Sequence, residues 1–150
     1  RRPHRGRRRP AVSVRVATTI DAPPEKVWSH LADVGSHVDW MLDAEAIRFT
    51  SPQRQGVGTT FDCDTRVGPF RLTDRMEVTE WDEGRVMGVR HAGLVKGEGR
   101  FTLAPAGGGH HTRFTWEERL SFPWSLTGPV LAAIWRRNLR RLKRSVEHGG

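Results

Sequence analysis

Three of the 150 residues have the type and position from which proton chemistry could be built: Asp74, His91 and Glu118. Each interrupts an apolar row read at every second residue. Phe70, Leu72, Asp74, Met76 and Val78 form one row; Met87, Val89 and His91 form another; Phe114, Trp116, Glu118 and Leu120 form a third. Alternate side chains of a strand share a face, so the three polar groups are expected to point inward with their apolar neighbours. A carboxyl group held in such surroundings has its pKa raised by desolvation and can serve as an acid or base near neutral pH. Asp74, His91 and Glu118 are therefore the candidate catalytic residues. Inward polar positions near strand ends can equally reach solvent, and one bulge would invert the parity beyond it.

The same alternation nominates Phe61, Cys63, Met76, Met87, Val89, Phe101 and Trp116 as ligand contacts. Apolar walls with a few polar groups are the composition of a small-molecule pocket. Gly97 and Gly99 share the inward parity of Phe101 and remove side-chain volume there, for a ligand, a close helix or plain sheet curvature. Other chemistry finds little support. His110 and His111 follow a triple glycine and lack partners at metal-ligand spacing, so no metal is expected. GVG and GGG lack the strand–glycine–helix context of a phosphate loop, and no cofactor is expected either. Cys63, in mid-strand, reads as a small core residue rather than a nucleophile.

These residues need strands to carry them and a helix to close over them. Ala11–Ile20 alternates as a strand. Pro24 suits a first helical turn, with Glu25 favourable beside it, which predicts a helix to about Asp33 and a second, short one over Ser36–Met41. Strands follow at Glu45–Thr50, Gly58–Val67, Phe70–Trp81, Arg85–His91, Leu94–Ala104 and His111–Phe122, separated by turn signals at Gly68-Pro69, Asp82-Glu83-Gly84 and Gly107–Gly109. Pro123 breaks the last strand. From Gly128 to Glu147, Leu131, Trp135, Leu139, Leu142 and Val146 recur at helical spacing, widened by Val130 and Ile134. The class is α+β: a curved antiparallel sheet wrapped around a long C-terminal helix, with two short helices after the first strand. Leu131, Ile134 and Trp135 are the contacts this helix would offer a ligand between itself and the sheet.

Charge points away from nucleic acid despite a net +8. Six arginines lie in residues 1–10 and six basic residues in 136–144, while residues 11–135 carry 13 Lys and Arg against 16 Asp and Glu. A nucleic-acid face needs positive charge gathered over the folded surface, so no specific nucleic acid is expected as partner. Residues 1–10, without an apolar side chain, read as a disordered basic tail able at most to touch acidic surfaces. Residues 11–150 read as one domain, long enough to bury roughly 68–70% of the unfolded surface. One cysteine excludes an internal disulfide and fits a reducing, cytoplasmic setting. No apolar run approaches the ~20 residues that span a bilayer. Oligomeric state leaves no signature.

The chain resembles the START-like helix-grip superfamily (SRPBCC), and within it the polyketide cyclase/dehydrase and lipid-transport group. The matching words are the first strand running into IDAPPEKVWSHLADV (20–34), SHVDW (36–40), GVGTTF (56–61), the hairpin FTLAPAGGGHHTRFTWEERL (101–120) and the last helix. The resemblance covers roughly residues 12–147. It implies a sheet gripping the last helix, a cavity between them, and Trp40 near the cavity mouth, which makes Trp40 a candidate ligand contact. His37 and Asp39 beside it read either as a polar entrance or as a capped surface turn. It implies binding of a lipid, sterol or polyketide-like molecule. A cyclase, aromatase or dehydratase using the cavity's acid/base residues is the enzymatic alternative, and a protein-interaction module the third. A shared scaffold does not choose among them.

Overall fold

A computed structural model describes residues 11–67, 69–121 and 128–149. The basic tail 1–10, Gly68 of the first tight turn, and the end of the last strand at Phe122-Pro123 lie outside the described residues.

The elements follow the expected order: β1 (Val12–Ile20), α1 (Pro24–Ala32), a 3-10 helix (Val34–Asp39), β2 (Ala44–Phe49), β3 (Thr60–Val67), β4 (Phe70–Asp82), β5 (Val86–Ala92), β6 (Lys96–Ala106), β7 (His111–Ser121) and α2 (Gly128–His148). The strands form one antiparallel sheet in the order β1-β7-β6-β5-β4-β3-β2. Each of β3 to β7 is hydrogen-bonded to its predecessor in sequence, as short turns dictate for antiparallel neighbours. β1 joins the far edge beside β7, so the helical segment between β1 and β2 crosses from one edge of the sheet to the other.

α1 begins at Pro24, whose fixed φ suits the first turn, and carries Glu25 there. It buries Val27, Trp28, Leu31 and Ala32. The Trp28 indole packs edge-on against Trp81 at 5.2 Å and donates to Glu83 Oε1 at 2.9 Å, which ties α1 to the end of β4.

α2 lies along β1. Near its start, Gly128 sits beside Val12 and Val14; near its end, Lys143 Nζ donates to the Thr19 carbonyl and the Asp21 N–H donates to Glu147. The lengths match, because nine strand residues and 21 helical ones each span roughly 30 Å. The buried stripe of α2 is Leu131, Trp135, Asn138, Leu139, Leu142 and Val146. Val130, expected to widen it, is exposed, and the amide of Asn138 lies within it. Arg136, Arg137, Arg140, Arg141 and Arg144 face solvent. Trp135 stacks on Trp116 of β7, 5.1 Å between centroids and 23° between planes. Trp116 meets Phe101 edge-on at 5.2 Å, and Phe101 meets Phe114 at 5.3 Å. This aromatic run joins helix to sheet and forms one wall of the space between them.

Candidate functional site

Asp74, His91 and Glu118 come from three strands and meet in one hydrogen-bonded line. The register explains how. His91 stands opposite Met76, one step of the same face from Asp74, and its Nδ1 lies 2.8 Å from Asp74 Oδ2. Its Nε2 lies 3.3 Å from Glu118 Oε1, although β6 stands between β5 and β7. The facing positions on β6 are Gly97, opposite His91 and Leu120, and Gly99, opposite Val89 and Glu118. Neither has a side chain to stand in the way. A Cβ at Gly99 would lie 2.5 Å from Glu118 Oε1, so the glycine creates the space that the carboxylate occupies.

All three side chains are more than nine-tenths buried. Carboxylate oxygens only accept, so a ring bonded to one through each nitrogen carries both protons. Burial by itself pulls the His91 pKa down. The hydrogen bonds to Asp74 and Glu118, reinforced by their charges, overcome it and lift the pKa to about 10. His91 is therefore an imidazolium at neutral pH. Burying charge is costly unless it is paired, and such clusters gather at functional sites more often than elsewhere. One polar atom of the line is left over: Asp74 Oδ1 is buried without a hydrogen-bond partner.

A fourth titratable group joins them. Asp43, just before β2, lines the same cavity, and its pKa is raised by burial and by the charges of Glu118 and Asp74, against a lowering hydrogen bond from Asn138. Asn138 of α2 is fully buried; its Nδ2 donates to Asp43 Oδ1 at 2.8 Å and its Oδ1 accepts from the Leu42 N–H at 3.0 Å. One amide thus fastens the helix to the segment leading into β2. Asn138→Leu keeps the branched outline of the side chain but strands both partners, with an expected loss of at least about 1–3 kcal/mol, measurable by urea denaturation. An unchanged midpoint would remove this fastening from the account.

The cavity between sheet and α2 has a volume of about 110 Å³. Asp74, His91 and Glu118 line it, as do Phe61, Cys63, Met76, Met87, Val89, Phe101, Trp116, Leu131 and Trp135. Trp40 and Ile134 do not. Trp40 is buried behind the wall, packed against His37, Phe101 and Trp116, with its Nε1 lacking an acceptor. Ile134 is half-buried against the core, one residue round the helix from Trp135. His37 lines the cavity, but as a neutral group: burial lowers its pKa to about 4, against the opposing contributions of the Leu31 carbonyl and Asp33, and Nε2 donates to that carbonyl at 2.8 Å. Asp39 is exposed. Burial pushes the Cys63 thiol up to about 12, despite the Thr65 hydroxyl bonded to its sulfur, so at neutral pH it is a protonated, weakly polar wall element.

Asp43 and Asn138 are the residues that sequence reasoning missed. Asn138 had a signal, since it lies three residues beyond Trp135 and four before Leu142, inside the buried stripe. Asp43 had none, lying between elements. Among the described residues, no group of three or more His, Cys, Asp and Glu is arranged to hold a metal ion, and no helix is long and apolar enough to cross a membrane.

Residues 11–147 match the family model for polyketide cyclase / dehydrase and lipid transport. The chain belongs to this family. No curated protein matches it in sequence. Solved structures share its fold at low identity. TTHA0849 from Thermus thermophilus superposes with a TM-score of 0.75 at 19% identity, covering 89% of this chain and 96% of that one. A START superfamily protein from Mycobacterium smegmatis does so at 0.71 and 15%, covering 91% and 94%. The Zhui aromatase/cyclase from Streptomyces sp. R1128 gives 0.71 and 19%, covering 92% of each chain. The architecture expected from the sequence, a helix-grip fold of the START-like superfamily, is the one observed.

Proposed function

We propose that this protein encloses an apolar small molecule between the sheet and α2, holding its polar end against the Asp74–His91–Glu118 line. The observation that carries this reading is the composition of the cavity: aromatic and aliphatic walls with one buried, charged hydrogen-bonded cluster. Burial of the ligand's apolar surface would supply most of the affinity, at ~25 cal/mol per Å². Family membership supports a lipid, sterol or polyketide-like ligand. At about 110 Å³ the cavity lies below the roughly 300–1,000 Å³ of drug-sized pockets. That favours a ring system or short chain, with a longer ligand requiring α2 to move. Thermal denaturation with panels of aromatic polyketides, sterols and fatty acids tests it. At least one class should raise the midpoint by several degrees; no shift with any of them would defeat the proposal.

A second reading, polyketide cyclase, aromatase or dehydratase, is favoured by one specific observation. His91 lies between two carboxyl groups with its side chain more than nine-tenths buried, and its contact with Glu118, at 3.3 Å, is the looser of the two. A substrate oxygen inserted on that side could accept the Nε2 proton, with Glu118 moving aside to serve as base. The pairing of this fold with such chemistry in the Zhui aromatase/cyclase is compatible with it. Turnover of a poly-β-keto thioester that is present in the wild type and vanishes in His91→Gln would support catalysis over carriage.

A further inference from the structure

The cavity's polar atoms are unevenly provided for. The hydrogen-bond donors of four lining side chains are turned toward protein. His91 gives both N–H groups to Asp74 and Glu118. Thr65 directs its hydroxyl to the Cys63 carbonyl and sulfur, and Cys63 its thiol to the Asp64 carbonyl. His37 donates to Leu31. Acceptors are in surplus: three carboxyl groups, those of Asp43, Asp74 and Glu118, share the cavity with the His91 imidazole, and Asp74 Oδ1 receives nothing at all. The orphaned donor nearby, Trp40 Nε1, does not belong to the lining. A buried acceptor without a donor is a standing cost that a ligand can remove.

We propose that the ligand is recognised through a hydrogen-bond donor of its own, a hydroxyl or an ammonium, received by Asp74 Oδ1, and that molecules presenting a carboxylate are refused. This rests on the cavity being a binding site and deepens that reading by naming the ligand's polar group. A donor satisfies the orphaned oxygen without disturbing the His91 line. A carboxylate has no proton to offer, and it would enter beside three carboxyl groups with the imidazole's donors already committed.

A single-ring series of nearly constant shape suits the volume: toluene, phenol, benzylamine and benzoate, titrated against the whole protein at pH 7 by NMR. Phenol and benzylamine should bind about 10–100-fold more tightly than toluene, the range expected of a hydrogen bond to a charged group, and benzoate more weakly than toluene. If phenol or benzylamine alone shows the gain, that result also identifies which donor the site takes. Benzoate or toluene binding as well as both donors would overturn the inference while leaving the cavity a binding site. Binding by none of the four would remove the binding reading and this one with it. Asp74→Asn should erase the advantage of benzylamine over toluene, because the amide puts a donor where the carboxylate oxygen stood and an ammonium has no lone pair to accept it; retention of that advantage in a folded variant would overturn the assignment to Asp74. The wild-type series decides the donor question even if that variant does not fold.

Discussion

His91→Ala is expected to cost about 3–5 kcal/mol of folding stability at pH 7, the range for breaking a buried ion pair by removing one partner. The variant leaves Asp74 and Glu118 buried together without the cation that joined them, and leaves a cavity where the ring was. The loss has a pH signature that a simple packing defect lacks. In the folded protein the His91 pKa is raised to about 10 from its ordinary 6.5. A raised pKa means that the folded state holds the proton more tightly than the unfolded chain. The resulting stabilisation is therefore complete below pH 6.5 and is lost progressively as the pH rises toward 10. Its upper bound is about 5 kcal/mol, because each pKa unit is worth about 1.36 kcal/mol. The facing groups are Asp74 on β4, Glu118 on β7 and Asp43 before β2, all acidic, so deprotonation of the ring removes the cluster's positive charge. Chemical denaturation of wild type and His91→Ala at several pH values gives the test. The difference between them should shrink from pH 6.5 to 10, and a constant difference would show that His91 is neutral in the fold.

The row of alternating residues on β4, β5 and β7 was enough to place Asp74, His91 and Glu118 on one face, for a physical reason. The side-chain period of a strand is two, and no irregularity intervenes between the paired positions that matter. The one shift in the β4–β5 register falls between Val78 and Glu80, beyond Met76 and on the far side from Asp74, and the β6–β7 register runs unbroken through Glu118. What the rows could not supply is the third dimension. Whether Trp40 faces a cavity or backs its wall depends on the pitch of a six-residue 3-10 turn, too short for periodicity to orient. Ile134 and Trp135 are neighbours in sequence yet about 100° apart around the helix, so only one of them can face the space. Asp43 sits in a connection, where no period exists, and is drawn inward by Asn138, a polar residue at an apolar address. The role of the two inward glycines was likewise left open by the pattern. Curvature, ligand space and helix approach all demand a missing side chain, and only the position of Glu118 separates them.

Those two glycines should respond to the same substitution in opposite ways. At Gly97, φ is +137°, a backbone conformation that L side chains rarely adopt, and an added Cβ would lie 1.9 Å from the Arg119 carbonyl oxygen. The obstacle is backbone of the paired strand, so relief requires β6 and β7 to separate beside His91. Gly97→Ala is expected to lose more than about 3 kcal/mol, since strained backbone and overpacking combine, and to yield little folded protein. At Gly99 the obstacle is the far end of a flexible side chain, the Glu118 carboxylate. Gly99→Ala should leave the sheet intact while swinging Glu118 away from His91 Nε2, at a cost of about 1–3 kcal/mol, since the share of the proton-linked stabilisation that Glu118 supplied goes with it. The imidazole then keeps Asp74 but loses its second partner, and its pKa should fall from about 10 toward its ordinary range. Circular dichroism and thermal melting measure the first effect, and NMR titration of the His91 ring measures the second. A Gly97→Ala protein as stable as wild type would show that β6 and β7 are less tightly apposed than their register requires. A Gly99→Ala protein with an unmoved His91 titration would show that Glu118 does not depend on the missing side chain for its place in the cavity.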